Sequence, residues 1–412
     1  MSMKYFFNDQ QAFSGLHPLS GYLDLYALHL YQQGYCRNTG RRKIRMIIRF
    51  SLWLDRYGLA VCHLTYEEIE KYLNMTAKKE GHQAEAKTIA LSQFMKFLQA
   101  NGSIAEQEIR RIAKSETEQI VNDFAVYLKN ERGLTLGTVR QYTRHVYRFV
   151  DSIFGAGKVD LSTLNAKGIT GYVQIAATLR SLTDAKLMTA ALRSFLRYAQ
   201  FQAFSDANLA DSVLPVANWA RTIPKTLALD SVEKVLACCN RETTTGLRDY
   251  TILLLLARLG LRAGEIVSLR LEDIDWRAGC ILVHGKGSNL MQMPIPPDVG
   301  EAIAAYLLRG RPQCRSRAVF VRASAPIKSL AGPSAVSLIV RKALERASIH
   351  TARKGAHQFR HTLASELLRK GASLQEIAEL LRHQTIQSTT IYAKVDLSSL
   401  QSLGLRWPGG DQ

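Results

Sequence analysis

The chain has 412 residues, 47% of them apolar, so it is too long for one compact unit of ordinary size and can give each of two or three domains a core. Lysine plus arginine number 54 against 35 aspartate plus glutamate, a formal charge of +19 that points to a polyanionic partner, nucleic acid first, beside the plainer reading of a generally basic surface. No apolar run approaches the roughly 18 residues of a membrane span, residues 1–11 show no secretory signal, and Cys36, Cys62, Cys238, Cys239, Cys280 and Cys314 form neither a Cys-x-x-Cys pair nor a disulfide framework; the expectation is a cytoplasmic protein with reduced thiols, no metal and no cofactor.

Leu23, Leu25, Ala27, Leu28 and Leu30 predict a first helix ending near Gly34, and Ile44, Ile47, Ile48 and Leu52 form the apolar side of the next. An offset of 99 residues sets Gly34 on Gly133, Arg41 on Arg140, Arg45 on Arg144, Arg49 on Arg148 and Phe50 on Phe149. With small drifts, Leu64 falls on Leu164, Ile69 and Tyr72 on Ile169 and Tyr172, and Leu91, Phe94 and Phe97 on Leu192, Phe195 and Tyr198. A period of about 100 residues exceeds that of solenoids, so two copies of one small helical domain are expected, over 1–110 and 111–205, each reading helix, turn, helix, short helix, helix. Arg41, Arg45 and Arg49 lie four apart, as do Arg140, Arg144 and Arg148, and each trio makes a stripe offset from the apolar side. Such a stripe can follow DNA phosphates without reading sequence, or form a solvated basic face; its recurrence favours DNA contact.

Residues 206–225, with Leu214-Pro215 and Ile223-Pro224, read as a linker. Beyond it the patterning predicts helices around Ser231–Cys239 and Asp249–Leu259, a third opened by Gly260-Leu-Arg-Ala-Gly-Glu265, and a hairpin of Cys280–His284 and Leu290–Ile295 joined through Gly285-Lys-Gly-Ser-Asn289. Further helices are expected at about 299–309, 334–346, 357–370, 374–382 and 388–394, the fourth with a Ser373-x-x-Glu376 capping box. The tail, 397–412, carries Leu397, Leu400 and Leu403, which suit packing on a neighbouring subunit or on its own domain.

The chemistry-bearing set is Arg262, Lys286, His357, Arg360, His383 and Tyr392. Arginine suits a phosphodiester that gains charge on its nonbridging oxygens, because its fork donates two parallel hydrogen bonds and stays ionised. Arg262 and Arg360 are the candidates, with Glu265 placed to orient the first. His357 and Arg360 share a helical face, while His361 points away from it. Lys286, a glycine-flanked turn residue of a kind that commonly faces solvent, could protonate a leaving 5′ oxygen. His383 ends its helix, where the dipole favours a protonated ring. Tyr392, with an ordinary pKa of about 10, needs neighbouring cations to become a nucleophile, and the set supplies them. A phosphotyrosyl ester would store the broken bond, so rejoining would need neither ATP nor a metal.

These stretches resemble the tyrosine recombinase (phage integrase) family. The resemblance rests on Ala257-Arg-Leu-Gly-Leu-Arg-Ala-Gly-Glu265 with Leu269-Arg-Leu-Glu-Asp-Ile-Asp275, Gly285-Lys-Gly287, His357-Gln-Phe-Arg-His361, and Leu380-Leu-Arg-His383 through Tyr392, and it covers about 225–396. It implies a multidomain, mainly α protein, with two small N-terminal SAM-like helical domains, the second a core-binding domain, and a mixed α/β catalytic domain at 226–396 with a small antiparallel sheet. It also implies that Arg262, Lys286, His357, Arg360 and His383 form the phosphate site and that Tyr392 makes a 3′-phosphotyrosyl link. The implied partner is double-stranded DNA, bound by a homotetramer or a hetero-oligomer with related recombinases. A type IB topoisomerase-like enzyme and a catalytically silent DNA-binding protein are the alternatives. Two departures stand out. Arg382 occupies the place before the second histidine where most relatives carry glycine, so that either the helix ends differently or Arg382 adds a phosphate contact; and the extra N-terminal domain leans towards a mobile-element recombinase.

Overall fold

The computed structural model describes residues 2–7, 17–61, 64–77, 83–104, 115–155, 157–205, 208–216, 226–285, 290–351, 354–382 and 389. Lys286, His383, Tyr392, the helix expected at 388–394 but for Thr389, most of the linker and the whole tail lie outside the described residues. Residues 1–106 and 222–412 cluster into one compact unit and 107–221 into another, so the first helical copy, expected as a body of its own, shares a unit with the C-terminal region.

In the first copy, α1 (Ser2–Phe6) precedes α2 (Ser20–Gln32), α3 (Arg37–Arg56), α4 (Tyr66–Ala77) and α5 (Gln83–Ala100). Leu23, Tyr26, Ala27 and Leu30 of α2 face inward at three- and four-residue spacing. The chain then reverses at Gly34, whose φ of +76° is cheap only for glycine. A side chain at Gly34 would collide with Ile327, whose N–H donates to the Gln33 carbonyl at 3.0 Å, and this contact ties the copy to the C-terminal region. The patterning did not foresee α1. Its Phe6, fully buried, lies against α3 where Gly40 leaves room for the ring.

The second copy runs α6 (Glu116–Asn130), α7 (Leu136–Phe154), α8 (Ala166–Thr178) and α9 (Leu182–Phe201). Each helix opens on a side-chain cap: Ser115, Thr135, Asn165 and Ser181 accept from Glu118, Thr138, Gly168 and Asp184 N–H. Several positions matched at offsets of 99 to 101 residues are buried alike in the two copies: Phe50 and Phe149, Ile69 and Ile169, Leu91 and Leu192, and Phe94 and Phe195.

In the C-terminal region, α10 (Leu229–Ala237) is followed by α11 (Thr244–Arg258), which Thr243 caps and whose residues from Thr251 to Ala257 are all buried. Ile252 to Leu256 are at most 1% exposed, because α11 is the central helix of this core. Then come α12 (Ala263–Ser268), β1 (Ile274–Asp275), β2 (Cys280–His284), β3 (Leu290–Pro294), α13 (Pro297–Ala305), α14 (Pro333–Arg346), α15 (His357–Arg369) and α16 (Leu374–Leu381). The sheet is antiparallel in the order β1-β2-β3, with Ile281 opposite Met293 and Ile274 opposite Ile281, and these side chains face the core. The hairpin falls where alternation and turn residues place it, whereas the two-residue β1 is too short to show alternation. The helix expected to reach 309 stops at 305 and widens into a π turn, Tyr306–Gly310. Among the described residues no helix is long and apolar enough to cross a membrane.

Candidate active site

Arg262 stands at the junction of α11 and α12. After α11 ends, Gly260 turns the chain with φ +57°, and a Cβ on it would come within 2.8 Å of Leu381 and 3.0 Å of Leu363. Gly260 is therefore fixed by both its backbone and its neighbours. Gly260→Ala should lower the unfolding free energy by roughly 2–4 kcal/mol, from left-handed backbone strain and overpacking together, with urea denaturation as the measurement. Two residues on, Arg262 caps α12. The Glu265 carboxylate accepts from the Arg262 main-chain N–H at 2.8 Å and from its Nη1 at 2.7 Å, while Arg262 Nη2 donates to the Arg382 carbonyl at 3.2 Å. Glu265 is 4% exposed at its side chain and Arg262 33%, so the acid is an internal anchor and the guanidinium keeps an open edge.

Arg360 comes from the first turn of α15 and is 3% exposed. Its Nη1 donates to the Gly260 carbonyl at 2.6 Å and its Nη2 to the Leu381 carbonyl. One guanidinium thus joins the ends of α11 and α16, satisfying carbonyls that have no partner within their own helices. Phe359, 1% exposed, and Ala364 anchor the helix behind it.

His357 begins α15 and keeps an exposed edge. Its pKa is held below the usual 6.5, first by partial burial and then by the positive charges of Arg360 and Arg262. The three residues therefore share one electrostatic field. A base with a lowered folded pKa binds fewer protons folded than unfolded, so this group's contribution to stability is full above pH 6.5 and is lost as pH falls through that window. A bound phosphodiester would cancel part of the arginine field. We predict that DNA raises the His357 pKa and that binding takes up a proton in mildly acidic solution, read by the histidine ring resonances with and without duplex; an unchanged pKa would refute contact with the phosphate.

Arg382 corrects an expectation. Its φ of 54° and ψ of 50° keep the left-handed helix end that glycine would take, at a strain of roughly 1–2 kcal/mol. The side chain does not reach outward for phosphate. It folds inward to 7% exposure, where Nη2 donates to Glu265 Oε2 at 2.8 Å and Nη1 meets Met293 Sδ on β3.

The expected DNA-contact arginines divide. Arg140 and Arg148 are exposed on α7, and Arg144, 52% exposed, lies 3.2 Å from Asp184 on α9. Arg180 also reaches Asp184, at 3.4 Å, so one acid steadies two arginines of this face. Sequence spacing missed Arg180 and Asp184 because Arg180 comes from the turn between α8 and α9 and Asp184 from the first turn of α9. In the first copy Arg45 and Arg49 are exposed, but Arg41 is not free for phosphate: its Nε donates to the Phe6 carbonyl at 2.9 Å and its guanidinium lies over Phe7. The cause is the unforeseen α1, which covers that end of the stripe.

The sequence model for the Phage integrase family matches residues 225–398, and that for the phage integrase N-terminal SAM-like domain matches 121–202. Over the full length of both chains, this sequence is 42% identical to a Sinorhizobium fredii protein that carries the name integrase/recombinase y4rA. It is 31% identical to the tyrosine recombinase XerD of Listeria monocytogenes, across 67% of this chain and 94% of that one. Among solved structures, the XerH recombinase bound to palindromic difH substrate matches with a TM-score of 0.55 at 19% identity, over 69% of this chain and 83% of that one. A lambda integrase (75–356) dimer bound to a core site matches with a TM-score of 0.53 at 16% identity, over 71% and 98%. At such identities the structural likeness concerns the fold.

Proposed function

The chain belongs to the phage integrase family of tyrosine recombinases, and from that premise we propose that it integrates, excises or transposes a mobile element by cutting and rejoining DNA through a 3′-phosphotyrosyl link. The observation that carries the site assignment is the meeting of Arg262, Arg360 and His357 around the joined ends of α11 and α16. Both arginines are held by main-chain carbonyls, and Arg262 also by Glu265, before any substrate arrives, and such preorganised donors stabilise the charge that gathers on a five-coordinate phosphorus.

In the proposed reaction the Tyr392 oxygen attacks phosphorus, giving up its proton as the phosphotyrosyl bond forms. The bond to the 5′ oxygen breaks, and Lys286 supplies the proton that oxygen takes. His357 and His383 hold or move protons beside the phosphate. Attack by a 5′ hydroxyl from the partner duplex reverses the sequence, expelling tyrosine and sealing the new strand. Lys286, His383 and Tyr392 enter through their motifs, since they lie outside the described residues. The second helical copy at 111–205 and the catalytic domain at 226–396 would each contact the duplex, with Arg140, Arg144 and Arg148 following its backbone. A lambda integrase tetramer has been solved on a Holliday junction, and we propose that this chain likewise works as a tetramer, alone or with related recombinases, on DNA in the cytoplasm.

The test uses a nicked duplex carrying the end sequence of the element that encodes the chain. A covalent adduct on a denaturing gel and strands joined from two partners support the proposal. An adduct with relaxation but no exchange would indicate a topoisomerase, and absence of any adduct a binding protein.

A further inference from the structure

The inward turn of Arg382 has chemistry that a helix cap does not need. An arginine at a left-handed position, where glycine is the unstrained choice, is here buried against an acid that already serves another arginine. Glu265 Oε1 takes Arg262 Nη1 at 2.7 Å, and Oε2 takes the Arg262 N–H and Arg382 Nη2, both at 2.8 Å. The Arg382 carbonyl takes Arg262 Nη2 at 3.2 Å. Arg262 is thus gripped from two sides, and Arg382 forms one side with its main chain and fixes the other through its side chain. The same guanidinium touches Met293 of β3, a strand of the hairpin that leads to Lys286.

We propose that Arg382 is a positioning residue for strand cleavage, which locks Glu265 so that the Arg262 guanidinium is presented to the scissile phosphate at a fixed angle. This rests on the functional reading above and goes beyond it by adding a residue to the reaction. With a single arginine, Glu265 could rotate to chelate Arg262 with both oxygens and draw it back from the substrate. With Arg382 in place, Oε2 is occupied, and Arg262 keeps one carboxylate oxygen, one carbonyl and an open edge. Arg382 also balances the charge of the buried carboxylate when Arg262 shifts its bonds towards a phosphate.

Arg382→Gly separates this role from capping, because glycine relieves the left-handed strain while deleting the guanidinium. A residue serving only as a cap would be replaced without loss. The expected result is a folded protein in which relief of the left-handed strain offsets part of the lost Arg382–Glu265 pair, affinity for nicked duplex within about twofold of wild type, and single-turnover adduct formation slower by about 10- to 100-fold, the scale of a misplaced catalytic group. Glu265→Gln should slow the same step, and the double variant should be little worse than either single one, because both break one linkage. Adduct formation at the wild-type rate in Arg382→Gly, or losses that multiply in the double variant, would overturn the proposal. Wild-type protein in the same assay keeps the two questions apart: if it forms no adduct, the functional reading fails, whereas a wild-type adduct with an undiminished Arg382→Gly rate defeats only the positioning role.

Discussion

Tyr392→Phe should bind nicked duplex as wild type does, within about twofold, and form covalent adduct more slowly by a factor on the order of 10⁴ or more. The substitution removes one oxygen and leaves a ring of the same shape, so packing gives no reason for DNA affinity to change. The grip on the phosphate is assigned to Arg262 and Arg360, whose described partners are Glu265 and the carbonyls of Arg382, Gly260 and Leu381. An interaction made only in the transition state lowers the rate and not the ground-state affinity. The assay is single-turnover cleavage beside a binding titration on the same duplex. An adduct of normal yield in Tyr392→Phe would move the nucleophile to another side chain, and a large loss of affinity would mean that the phenol helps to hold the substrate.

What the sequence disclosed follows the range of each signal. Short-range patterns read well: the offset between copies, the hairpin around residue 285 and the Ser373–Glu376 cap all depend on neighbours within a few positions or on repetition. The pairing of Arg262 with Glu265 was legible for the same reason, being three residues apart on one helix start. Contacts across the fold were not. Arg360 bonds to Gly260, 100 positions away, and Arg382 to Glu265, 117 away; no periodicity encodes either partner. Hence Arg382 was expected to change the helix end or meet phosphate, and its burial against a carboxylate came only with the tertiary structure. Arg41 fails for a related reason. Its four-residue spacing describes one helix correctly, but α1, too short to show a pattern, spends that guanidinium on its own carbonyl. A stripe in sequence is a stripe on a helix, and what covers it is decided elsewhere.

Arg360→Ala should damage both the fold and the reaction, and the two losses should separate on measurement. Deleting the side chain strands the Gly260 and Leu381 carbonyls in a place where Arg360 itself is only 3% exposed. A buried acceptor left without a partner costs about 1–3 kcal/mol, so a loss of roughly 2–6 kcal/mol in unfolding free energy is expected from urea titration. The joined helix ends also set the position of Arg262 through the turn at Gly260 and the carbonyl of Arg382, so the second arginine moves when the first is removed. Cleavage should therefore fall further than for loss of a single donor to a developing charge, itself worth about 10²–10³, and we expect a factor on the order of 10³ or more. Arg360→Lys refines the argument. An ammonium keeps the charge but cannot reach two carbonyls and a phosphate with a planar fork. Its stability should lie between those of alanine and wild type, while its cleavage rate should stay close to that of alanine. If lysine instead restored cleavage in proportion to stability, Arg360 would be a structural clasp between two helices, and phosphate recognition would fall to Arg262 alone.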